Sequence, residues 1–121
     1  MTLKISVRQL SDVNVVDLDG RLVIGPASEA LSERFQEMSR QGARKILVNL
    51  AKVTQLDSSG ICSLLQGFTS MKRAGGSFKL LHPGGHTREV LEVMRLTDTI
   101  PTLDDEAQAV ASFVSAEPAV G

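Results

Sequence analysis

The chain has no tryptophan, no tyrosine and only four phenylalanines among its 121 residues. Proteins that grip single-stranded nucleic acid stack bases on aromatic faces, so a stacking platform is nearly excluded. Cys62 is the sole cysteine, which rules out an intramolecular disulfide. One cysteine and two histidines, His82 and His86, do not supply metal-ligand spacing. No sign of charge dominates either. A formal net charge of −1 provides no electrostatic footprint for nucleic acid or a membrane surface. No apolar run approaches the length of a membrane span. The opening Met1-Thr2-Leu3-Lys4-Ile5-Ser6 alternates and is not a signal peptide, so a cytoplasmic location is expected.

What is present is ordinary for a globular protein. The apolar fraction is 42%, and the length suits one domain with one core. Residues 3–10 alternate, with Leu3, Ile5 and Val7 on one side, as in a half-buried strand. Residues 13–18 form a second strand, and the Ser11-Asp12 turn predicts an antiparallel hairpin. Asp19-Gly20 breaks the pattern, and Leu22-Val23-Ile24 can resume it after a bulge. Gly25-Pro26 opens a helix whose buried stripe is Ala27, Ala30, Leu31, Phe35 and Met38. Gly42 is its expected left-handed cap. The apolar run at 45–50 reads as a central strand buried on both faces, and 51–57 as a loop.

From Ser59, the residues Ile61, Leu64, Leu65, Phe68 and Met71 recur at helical spacing, and Gly75-Gly76 ends the helix. A strand follows over 77–82, then a short helix over 86–95 with Val90, Leu91 and Met94. Ile100-Pro101-Thr102 reads as an edge strand, because proline is poorly tolerated inside a sheet. Residues 104–114 open Asp-Asp-Glu, as a helix N-terminus should. The expected unit spans 1–114, with a frayed tail over 115–121. The fold class is α/β: a mixed sheet of four to five strands with about four helices, its crossovers right-handed and parallel.

Asp57-Ser58-Ser59-Gly60 lies at a strand-to-helix junction, where functional sites of open α/β sheets gather. Asp57 or Ser58 can cap the first amides of the helix, and Gly60 permits close approach of another backbone. By spacing alone this is a helix cap. A small hydrolase using Ser58 is the alternative of another class, and it is disfavoured because no Gly-x-Ser-x-Gly elbow surrounds the serine. The glycine pairs form no phosphate loop, because no Gly-Lys-Ser/Thr follows them. No cofactor is expected. Cys62 reads as a small, partly buried apolar residue.

A wider pattern adds to this. Ile46-Leu47-Val48-Asn49-Leu50, six residues, then Asp57-Ser58-Ser59-Gly60-Ile61 resembles the signature of anti-sigma-factor antagonists, the STAS domain family. Gly20-x-Leu22, Gly75-Gly76 and Leu91-x-x-Met94-x-Leu96 are similar to the same pattern, so the resemblance covers about residues 3–114. It implies a non-catalytic STAS-like domain that switches partners. The dephosphorylated form would bind an anti-sigma factor that is also a serine kinase, freeing a sigma factor. Phosphorylation of the residue matching Ser58, with Ser59 as the alternative, would break the complex, and a PP2C-type phosphatase would reset it. Many family members carry an aspartate where this chain has Val23, so the resemblance implies a different partner or an apolar contact there. The expected contact surface is Val23, Ile24, Asp57, Ser58, Ser59, Gly60 and Ile61. The same family includes scaffold subunits of stress-signalling assemblies and of lipid transporters, which keep the fold without the switch.

Overall fold

The computed structural model describes residues 3–115. The alternating opening becomes β1 (Leu3–Leu10), joined by a tight turn to β2 (Val13–Leu22) as an antiparallel hairpin. β1 is an edge strand, and Val7 stays 40% exposed where its alternation predicts burial. Edge strands have a neighbour on one side only, so their outer residues keep more water. β2 runs on through Gly20, at φ 126°, past two register shifts. The expected bulge is therefore present, and pairing resumes up to Leu22.

Helix α1 (Pro26–Arg40) starts at the proline, and Gly42 closes it just beyond the Gln41 cap. Gly42 takes φ 98°, and Ala43 N–H reaches the Met38 carbonyl at 2.9 Å, closing a Schellman cap. Its buried stripe is Ser28, Leu31, Phe35 and Met38. Ala30 faces solvent and Ser28 takes the inner position instead.

Strand β3 (Lys45–Leu56) corrects the sequence reading of a loop over 51–57. The long second strand supplies partners beyond the bulge, pairing Lys52 with Asp19, Val53 with Gly20 and Leu56 with Leu22. Helix α2 (Ser58–Arg73) leads by a parallel crossover to β4 (Ser77–Leu81). Then come α3 (Gly85–Val93), α4 (Leu96–Thr99), β5 (Thr102–Leu103) and α5 (Glu106–Ser115). The short α4 was not anticipated, and the edge strand begins at Thr102 rather than Ile100. The Pro101 carbonyl still accepts from Leu80 N–H at 2.9 Å, while proline itself has no N–H to offer. The tail expected over 115–121 lies outside the described residues, apart from Ser115 at the end of α5.

The five strands lie in sequence order, antiparallel between β1 and β2 and parallel elsewhere. Alternation divides the side chains between two layers. Val16, Leu18, Ile46, Val48, Leu50, Phe78 and Leu80 join α1, α2 and α3 in the main core. Val13, Val15, Leu47 and Leu81 form a smaller cluster, covered by Ala109 and Phe113 of α5.

Arg8 ties that last helix to the hairpin, bonding Asp17 at 3.0 Å and Glu106 at 2.6 Å. The hydrogen bond from Arg8, aided by Asn49, outweighs desolvation and holds the Asp17 carboxyl below its ordinary range. The Arg8–Glu106 pair is exposed, so its expected worth is small. Arg8→Met is expected to lower stability by less than about 1 kcal/mol. Melts at low and high salt should show a smaller salt dependence in this variant than in the parent.

Candidate functional site

The end of β2 and the start of α2 meet at the carboxyl rim of the sheet. Asp57 is in extended conformation, φ −120° and ψ −173°, and caps α2. Its Oδ1 accepts Ser59 N–H at 2.9 Å and Gly60 N–H at 3.1 Å, two of the amides a helix leaves unpaired. Its Oδ2 accepts Ile24 N–H at 2.9 Å. One carboxylate therefore clasps two segments 33 residues apart in sequence. Desolvation pushes the Asp57 carboxyl up, but the amides of Ile24, Gly60 and Ser59 outweigh it and hold it below the ordinary aspartate value.

Ser58 occupies the first position of α2 and is exposed, whereas Ser59 is half-buried. No hydrogen bond reaches the Ser58 hydroxyl among the described residues, so it projects free from the positive end of the helix. A phosphoryl group there would meet a favourable dipole and an unfavourable Asp57 carboxylate one residue away.

Gly60 is buried against the end of β2. A Cβ at this position would stand 2.5 Å from the Leu22 carbonyl oxygen and 2.7 Å from Leu22 Cγ. The first turn of α2 thus rests directly on the backbone of β2, whose Leu22 carbonyl also lies 3.4 Å from Asp57 N–H.

Of the seven residues expected to make contacts, five reach the surface: Val23, Ile24, Asp57, Ser58 and Ser59. Ile24 is 75% exposed, the more prominent of the pair after β2. Gly60 and Ile61 instead face inward, Ile61 at 6% exposure within the main core. The helical phase decides this. Ile61 lies on the same face as Leu64, while Ser58 and Cys62, four apart, lie on the outer face. Cys62 is accordingly exposed, contrary to the partly buried position expected for it.

A serine joint at the back of the site had not been recognised. The Ser63 hydroxyl, 3% exposed, donates to the Ser28 carbonyl at 2.9 Å and accepts from Ser32 Oγ at 3.0 Å. It packs the entrances of α1 and α2 together with its polar atoms satisfied. The spacing of Ser28 with Ser32 and of Ser59 with Ser63, both i to i+4, was the available signal.

His82 stands 3.9 Å from Asp104, and no hydrogen bond joins either histidine to Ser58. Among the described residues no three His, Cys, Asp or Glu side chains group as metal ligands. No helix of the described residues is long and apolar enough to cross a membrane.

Comparison with known proteins bears on the chain as a whole. BtrV of Bordetella bronchiseptica, named as a proposed anti-sigma factor antagonist, is 22% identical over 116 residues, 96% of this chain and 99% of BtrV. The anti-sigma factor antagonist SpoIIAA of Bacillus, in its unphosphorylated form, superposes with a TM-score of 0.72 at 21% identity, covering 94% of this chain and 100% of SpoIIAA. An anti-sigma factor antagonist of Mycobacterium paratuberculosis gives 0.80 at 20% identity, covering 93% and 94%. At these identities the solved structures establish the shared fold. The STAS domain family model matches residues 4–109, nearly the whole described chain, and the protein belongs to the STAS domain family.

Proposed function

We propose that the protein is an anti-sigma-factor antagonist that works by partner switching. Unmodified, it binds an anti-sigma factor with serine kinase activity and so frees a sigma factor. The kinase phosphorylates Ser58, the complex separates, and a PP2C-type phosphatase restores the free hydroxyl. The observation that carries this reading is the exposed, unbonded Ser58 hydroxyl at the first position of a helix in a STAS domain. SpoIIAA, which shares the fold, occurs in unphosphorylated and phosphorylated forms. Ser59 is the second acceptor, held back by its lower exposure. The module is the whole unit over 1–114. It acts in the cytoplasm, as a binding protein rather than an enzyme, without cofactor or metal.

The physics of the switch is local. Phosphorylation adds about −1.5 to −2 charges at neutral pH and a bulky group to a small surface. The helix dipole favours that anion by about 0.3–1 kcal/mol, and Asp57 opposes it. The two terms oppose each other at an exposed helix end, away from the core, so the fold is expected to survive. A partner packed against the Ser58 hydroxyl has no room for the phosphate and no charge prepared for it.

The test uses purified anti-sigma kinases of the source organism, titrated one at a time. With ATP, mass spectrometry should place the phosphate on Ser58. Ser58→Ala should bind like the parent, and Ser58→Glu should bind at least about tenfold more weakly. Equal affinity of the two variants, or a phosphate reproducibly elsewhere than Ser58 and Ser59, would sink the proposal.

A further inference from the structure

Among the described residues four large apolar side chains stand out of the surface, Val7, Ile24, Val93 and Met94, and one of them is bonded into the Ser58 site. Ile24 N–H is held by the same Asp57 carboxylate that caps the helix carrying Ser58. Its C-terminal neighbour is held as well. The Gly25 carbonyl accepts Glu29 N–H at 3.2 Å and the Ser28 hydroxyl at 3.3 Å, and Pro26 fixes the next φ. The backbone of Ile24 is thus fastened on both sides while its side chain remains 75% exposed. A β-branched side chain on a fixed backbone has little freedom left to lose.

The backbone of such a residue is pre-organised for insertion, because the entropy of ordering that backbone is already spent in folding. A single exposed isoleucine is ordinary on a protein surface. An exposed isoleucine fastened through the capping carboxylate of the switch helix is continuous with the switch surface. Resting on the partner-switching reading above, we infer that Ile24 is the apolar anchor of that surface and enters an apolar socket on the anti-sigma partner. Val23, its neighbour in sequence, is half-buried. Ser58 then stands at the margin of the socket. A phosphate there blocks seating of the anchor by charge and bulk, so one small modification dislodges the contact that excludes most water.

The chemistry of the socket follows from the anchor. A site lined by cations would welcome an aspartate at position 24 and gain nothing from isoleucine. An apolar socket does the reverse, because an unpaired carboxylate buried there loses its hydration.

The experiment keeps Ser58 unmodified and titrates the purified anti-sigma kinases by calorimetry. Ile24→Ala should bind about tenfold more weakly, since most of the buried side chain is removed. It should also show a smaller negative heat-capacity change on binding. Ile24→Val should stay within about threefold of the parent. Ile24→Asp should lose about a hundredfold or more. The side chain is exposed, so all three variants should melt with the parent and keep the fold.

Parent-like binding by Ile24→Ala, or tighter binding by Ile24→Asp, overturns the anchor. If Ser58→Glu still abolishes binding in that case, partner switching stands without it. If Ile24→Ala weakens binding and Ser58→Glu does not, the anchor stands and the switch falls. Self-association of the parent that Ile24→Ala abolishes, seen by sedimentation, would assign the knob to a second copy and overturn the socket on the partner.

Discussion

Gly60→Ala is expected to lower stability by about 3 kcal/mol or more, the largest effect of any single methyl group at this site. Alanine is the better helix former by about 1 kcal/mol, so propensity alone predicts stabilisation. Space decides otherwise. The new Cβ would lie 2.5 Å from a backbone oxygen of Leu22, 2.7 Å from its Cγ and 2.8 Å from Leu56 Cδ1. A side-chain clash can be relieved by rotation, but the Leu22 carbonyl belongs to the sheet and cannot turn away. Relief requires lifting α2 off β2, which pulls Asp57 from Ile24. Chemical denaturation should show the loss. Amide exchange should show the early turns of α2 opening before the central strands. A melt equal to the parent's would show that the helix seats less closely on β2 than the structure has it.

Asp57→Ala should cost about 2–3 kcal/mol, the sum of a lost helix cap and a lost charge-assisted bond to Ile24 N–H. Asp57→Asn separates the two. Asparagine caps helices as well as aspartate does, but its NH2 group cannot accept the Ile24 N–H. Its expected cost is about 1 kcal/mol, with Ile24 released. The pH dependence is a second check. The folded Asp57 carboxyl titrates below its unfolded value near 3.9, so its contribution is fully present above that value. The contribution is lost as pH falls through the lower, folded value. Asp17 is depressed in the same direction through Arg8, so the parent curve alone does not isolate Asp57. The difference between the parent and Asp57→Asn curves does. It should be flat above about pH 5 and shrink below about pH 4. A difference that grows on acidification would contradict the clasp.

Much of the fold was legible because its signals are local. Alternation marked both strands of the hairpin, Gly25-Pro26 and Gly42 bracketed α1, and Asp57 and Gly75 bracketed α2. Each is a matter of a few residues: a period of two, a period of 3.6, a cap. The errors came where a neighbour distant in sequence decided. Residues 51–56 lack a continuous apolar run, and they are strand because β2 pairs with them beyond the bulge. Ala30 fits a helical stripe, but a 15-residue helix offers its partner only the face that packs, and Ser28 is on it.

The site divides along the same line. Sequence placed a helix cap at Asp57 or Ser58, because capping is chemistry between near neighbours, and the structure assigned it to Asp57 with Ser58 as the first helical residue. It also placed the tetrapeptide in a chain patterned as a STAS domain. Tertiary structure alone decided that the second oxygen of Asp57 holds Ile24 and that Gly60 must be glycine because Leu22 lies against it. These contacts join segments more than thirty residues apart. No local period encodes them, because the geometry that creates them is the bulge and register of the sheet.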